Sequence, residues 1–105
     1  MSHILFKLER EGEVRYFEWS TICDAPLTFG MTLEELHDYV RERYGPPGLE
    51  ELPKRLERVE RSGTSALPGP LSAEDLLKGN RAGAGETTIG IDEFWTRFVT
   101  ERPDE

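Results

Sequence analysis

A small α+β fold follows from three patterns in this chain of 105 residues. Apolar side chains recur at every second position in the stretch Ile4 to Trp19, which is the period of a strand. Later stretches carry apolar residues at helical spacing behind residues that cap helices. A Gly-rich stretch, Gly79 to Gly85, punctuates the second half. The arrangement these patterns predict is an N-terminal antiparallel hairpin, or a three-stranded sheet, packed against several short helices. The length fits a single domain over residues 1–105, with residues 62–70 and 79–88 as internal loops and residues 103–105 as an exposed tail.

The hairpin comes first. With Glu11-Gly12 as a two-residue loop, Ile4 faces Trp19, Phe6 faces Phe17 and Leu8 faces Arg15, so one face of the ribbon is largely apolar. The other face pairs Leu5 with Glu18, Lys7 with Tyr16 and Glu9 with Val14, a mixture that suits solvent. Glu11 is not a favoured first residue for such a turn, and a longer bulged loop through Glu13 competes with it. A slip of one residue would separate the apolar pairs, which argues for the tighter register.

After Trp19, the run Cys23-Asp24-Ala25-Pro26 predicts a bend, since proline biases Ala25 away from helix and cannot donate to a sheet ladder. Residues 27–31 then offer either a third strand or a packed connector. Thr32 and Glu35 are spaced as a capping box, flanked by Met31 and Leu36 as an apolar staple, so a helix begins there. Its expected buried stripe is Leu33, Leu36, Tyr39, Val40 and Tyr44, and Gly45 with Pro46-Pro47 is expected to end it.

A second helix is expected within Glu50 to Arg61, with Leu52, Leu56 and Val59 on one side and its start placed at Pro53, because proline is tolerated in a first turn. Glu50/Lys54, Glu51/Arg55 and Glu57/Arg61 have the spacing of favourable surface pairs. Ser72 and Asp75 mark a short helix that ends near Gly79-Asn80. Residues 88–91 offer a brief extended segment, and Asp92 is the expected cap of a terminal helix carrying Phe94, Trp95, Phe98 and Val99.

The formal charge of −8 is evenly spread. Residues 1–70 hold 13 acidic and 9 basic side chains and residues 71–105 hold 8 and 4, so no basic track for nucleic acid or an anionic membrane emerges. A lone cysteine and the lack of a long apolar stretch point to a cytoplasmic chain with no membrane span.

Few residues suggest chemistry. Cys23, Asp24 and His37 contain the parts of a nucleophile and acid-base system, but no motif fixes their orientation, so no catalytic residue is assigned. His3, His37 and Cys23 are too scattered for a zinc pattern, and neither a metal nor a cofactor is predicted. The loop Gly79 to Thr88 could expose backbone donors to an anion, with Arg81 as an anchor, although it lacks a phosphate-loop lysine and reads first as a flexible connector. The residues favoured for binding are Tyr16, Trp19, Arg81 and Trp95, set against the competing need for aromatic side chains in a small core. The reading that results is a noncatalytic protein-interaction or regulatory domain that binds a protein partner or itself. The alternatives are a small hydrolase or transferase using Cys23 and His37, and an acidic mimic of nucleic acid that inhibits a basic protein.

Overall fold

The computed structural model describes residues 3–65 and 72–101. Strands β1 (His3–Arg10) and β2 (Glu13–Ser20) pair antiparallel in the expected register, with Ile4 opposite Trp19, Phe6 opposite Phe17 and Leu8 opposite Arg15. The two-residue turn wins over the bulged loop: Glu11 and Gly12 both take positive φ, the geometry that matches the twist of the flanking strands. The short strand β3 (Ala25–Pro26) adds to β2 and completes an antiparallel sheet of order β1-β2-β3. Its continuation stays against β2, where Leu27 N–H donates to the Glu18 carbonyl and Met31 and Tyr16 exchange both backbone bonds. On the far edge of β1, Lys7 N–H donates to the Gly63 carbonyl and Ser65 N–H to the Leu5 carbonyl, so that edge is paired too.

Helices cover both faces of the sheet. Ile4, Phe6, Leu8, Phe17 and Trp19 pack against Leu77 of α2 (Ala73–Lys78) and Phe94 of α3 (Ile91–Trp95). Phe6 stacks on Phe17 with ring centroids 4.9 Å apart, and Phe94 meets Phe17 edge-on at 5.3 Å. On the opposite face, Leu5, Tyr16 and Met31 pack against Leu36, Val40, Leu52 and Val59 of α1 (Leu33–Ser62). That second face corrects the sequence reading, which gave it to solvent. Its polar letters mislead because α1 buries Leu5 and Tyr16 and encloses Glu18 with a partner.

The capping box forms as the spacing predicts: Glu35 N–H donates to Thr32 Oγ1, and Thr32 N–H donates to the Glu35 carboxylate. The two central helices differ from expectation, because α1 runs from Leu33 to Ser62 and only Gly45 leaves helical geometry inside it, at φ 68° and ψ −161°. Helix resumes directly at Pro46, whose missing N–H falls among first-turn donors that have no intrahelical acceptor in any case. Pro53 therefore lies inside the downstream arm rather than at its start. Of the expected stripe, Leu36 and Val40 are buried and Tyr39 is half-buried, while Leu33 and, at the margin, Tyr44 are exposed.

Ser72 caps α2 as predicted, accepting from Asp75 N–H. Asp92 does not cap α3. Gly90 holds that position, and Asp92 sits in the first turn paired with Arg10 at the end of β1. A π-helical turn, Thr96–Thr100, extends α3 and brings the Phe98 carbonyl to the N–H of Gly30. Residues 88–91 form no strand. The buried side chain of Asn80 organises this region instead, donating to the carbonyls of Leu77 and Ile89 and accepting from the N–H groups of Ala82 and Ile89. Of the predicted loop 62–70, Ser62 closes α1 and Gly63 to Ser65 border β1; the rest, and the predicted tail 103–105, lie outside the described residues.

A buried glutamate beneath a cleft at the bend of α1

Glu18 lies between Phe17 and Trp19 in β2, and strand alternation turns it to the face opposite theirs, under α1. Its side chain is 1% exposed. A carboxylate in such a place costs several kcal/mol unless it is paired and hydrogen-bonded. Both conditions are met by side chains from the two arms of α1. Tyr39 donates its hydroxyl to Oε1 at 3.0 Å, Tyr44 donates its hydroxyl to the same oxygen, and Arg55 donates from its guanidinium to Oε2 at 3.3 Å. Arg55 is itself only 9% exposed along its side chain.

The break at Gly45 makes this convergence geometrically feasible. A straight helix would carry Arg55 more than three turns, about 16 Å, beyond Tyr44. The bend folds the second arm back so that residues before and after Gly45 reach one carboxylate. Gly48 completes the fit, since a Cβ there would lie 2.4 Å from the Cβ of Tyr44 and 3.2 Å from Val40.

The electrostatics follow from the enclosure. Burial, with the charge of Glu18 and the hydrogen bond to it adding, holds the Tyr39 phenol well above the ordinary tyrosine range. Burial and then the hydrogen bond to Glu18 raise Tyr44 in the same direction. Both phenols thus remain protonated donors through neutral and mildly alkaline pH. The Arg43 guanidinium stands 6.0 Å from the Tyr44 ring centroid, a cation–π contact that also opposes the upward shift of Tyr44.

His3 joins the cluster from β1, with Nδ1 3.2 Å from the Tyr44 hydroxyl and 3.6 Å from Glu18 Oε1. Because the Tyr44 hydroxyl gives its hydrogen to Glu18, its oxygen accepts from His3 Nδ1–H. In the neutral ring the lone pair is then at Nε2. Above the cluster opens a cleft of about 340 Å³ lined by His3, Tyr44, Pro47, Gly48, Glu51 and Arg55. It combines a buried guanidinium, an oriented imidazole, a rim carboxylate and an aromatic wall, the mixed lining of a small-molecule site.

The residues singled out in the sequence lie elsewhere, save Tyr16 beneath α1. Trp19 and Tyr16 are core residues on opposite faces of the sheet, and the Trp19 Nε1 is buried with no hydrogen-bond partner among the described residues. Trp95 is half-buried against the Trp19 face, while Arg81 is exposed and its backbone N–H donates to the carbonyl of Asp24. Cys23 is exposed in the turn after β2, its N–H bound to Ser20 Oγ, and His37 is exposed on the upstream arm of α1. No hydrogen bond joins Cys23 to His37 among the described residues. The Gly79 to Thr88 loop directs the N–H groups of Ala82, Gly83 and Glu86 to internal acceptors, which leaves it poorly disposed to cradle an anion. Among the described residues no group of three or more His, Cys, Asp or Glu side chains is placed to hold a metal ion.

Sequence reasoning missed Glu18, Tyr44 and Arg55 as a group and weighed His3 only as a zinc ligand. The available signal was a lone acid between two aromatic residues of a strand, together with an arginine on the same helical side as Leu52 and Val59. Comparison with protein-family models, curated proteins and solved structures finds no match for this chain.

Proposed function

We propose that this chain is a noncatalytic protein-interaction domain that docks a partner through apolar side chains displayed at the β3 edge of its sheet. The observation that carries this reading is where the exposed apolar side chains fall. Of six large hydrophobic residues exposed among the described residues, four (Ile22, Leu27, Phe29 and Leu33) belong to the single stretch from the end of β2 to the start of α1. Ile22 is 78% exposed, an unfavourable placement that a partner would relieve.

Side-chain docking suits this edge better than strand addition. Pro26 has no N–H to offer an incoming strand, and Gly30 already donates to Phe98. The formal charge of −8 and the acids Asp24 and Glu34 along the same stretch favour a partner segment that mixes apolar with basic side chains. A second copy of the chain satisfies the apolar requirement but not the charge complementarity. Catalysis by Cys23 and His37 would need the two side chains to meet, and nothing in the geometry favours that route.

The test compares the native chain with an Ile22→Ser/Leu27→Ser variant. Both are exposed positions, so the variant should keep the native circular dichroism spectrum and melting temperature. The reading expects the native chain to retain a defined partner, less strongly as salt rises, and the variant to lose it. Equal retention by both chains, or a native chain that stays monomeric and retains nothing, contradicts it.

A further inference from the structure

The cleft at the bend of α1 has unspent hydrogen-bonding capacity of a specific kind. A guanidinium carries five N–H donors, and the only hydrogen bond Arg55 makes among the described residues goes to Glu18. No Arg55 nitrogen is both buried and unpartnered, so the remaining donors reach the cleft that Arg55 lines. Their planar fork matches a carboxylate. One helical turn before Arg55, Glu51 is exposed and forms no ion pair among the described residues, although its spacing to Arg55 would allow one along the helix. His3 Nε2 adds a lone pair. The cleft thus offers donors for an anion at its floor and acceptors for a cation at its rim.

The charge balance selects between ligand classes. The cleft is lined by one guanidinium, Arg55, and one carboxylate, Glu51, so a simple anion leaves Glu51 unmatched and a simple cation leaves the donors of Arg55 unspent. We propose that this cleft binds a small zwitterion of the amino-acid class, its carboxylate on Arg55 and its ammonium group between Glu51 and the imidazole of His3. The Tyr44 ring and Pro47 provide the apolar wall for the ligand's side chain, and the volume of about 340 Å³ lies within the range of small-molecule pockets. This site is independent of the exposed β3 edge, and neither Ile22 nor Leu27 contributes to it.

The experiment is an NMR titration of the full chain with leucine and with phenylalanine, using acetate and ethylamine as probes for each half of the zwitterion. The expected result is a saturable shift of the His3, Gly48 and Arg55 signals by an amino acid, at a concentration at least about tenfold below that needed for either half-probe. Glu51→Gln, at an exposed position that leaves the fold intact, is expected to weaken amino-acid binding about tenfold without weakening acetate binding. The proposal is overturned if neither amino acid gives a saturable shift, if acetate or ethylamine binds as tightly, or if Glu51→Gln binds the amino acids as the native chain does.

Discussion

Glu18 is the residue on which the α1 face turns, because its charge is tolerable only while its donors stay in place. Arg55→Met keeps most of the side-chain volume but leaves the carboxylate enclosed without its counter-charge. That substitution is expected to cost about 3–5 kcal/mol, read from the shift of the denaturant midpoint. Adding Glu18→Leu in the same chain should recover much of the loss, since a buried pair replaced by apolar residues of similar size is often neutral. The two phenols give a pH test with a defined sign. Their pKa values are raised in the folded chain, so the unfolded chain loses their protons first; the stability they contribute is complete below the ordinary tyrosine pKa of about 10 and declines as pH rises above it. Ultraviolet titration should show Tyr39 and Tyr44 resisting ionisation beyond that pH while the chain stays folded, with Tyr39→Phe and Tyr44→Phe removing one late step each. At this scale the sequence was only partly legible. The neighbours Phe17 and Trp19 show that position 18 lies in a strand, but whether its acid faces water depends on an arginine 37 residues away, and no local pattern joins the two.

The long helix shows what local chemistry settles at the scale of an element. Thr32 and Glu35 set its start through bonds that span three residues, and such bonds can be read directly from spacing. Its bend was legible as a break at Gly45, yet the return to helix at Pro46 was not, because proline both ends helices and begins them. Pro53 reads as a start for the same reason, yet helix runs through it, with Leu52 and Val59 packed on the sheet to either side. Gly45 occupies a backbone region that is nearly restricted to glycine. Gly45→Ala is expected to destabilise the chain by about 1–3 kcal/mol and to displace the signals of Tyr44 and Arg55 together, as monitored by thermal melting and NMR. An alanine accepted at no cost would mean that the arms of α1 do not require this turn. The terminal helix gives the opposite lesson: Asp92 looks like a cap by composition, but a partner far away in sequence, Arg10, claims its carboxylate.

Across the whole molecule, the central feature is a sheet covered by helices on both sides. The hairpin register and the aromatic face were open to sequence reasoning because Ile4, Phe6, Phe17 and Trp19 alternate cleanly. The second face was not, because its cover comes from a bent helix whose two arms bury one carboxylate, and the polar letters of β2 imitate a solvated strand. If both layers belong to one cooperative structure, truncating either side must lower global stability. Phe94→Ala removes the ring that fills the aromatic face, an expected cost of about 3–5 kcal/mol.

The most direct measurement is the companion substitution beneath α1, Leu36→Ala, followed by equilibrium denaturation. Leu36 has no exposed surface, and a two-sided core predicts a loss of about 2–5 kcal/mol in a single cooperative transition. A change within about 0.5 kcal/mol, the range of a surface substitution, would show that this face is open to water and contradict the architecture.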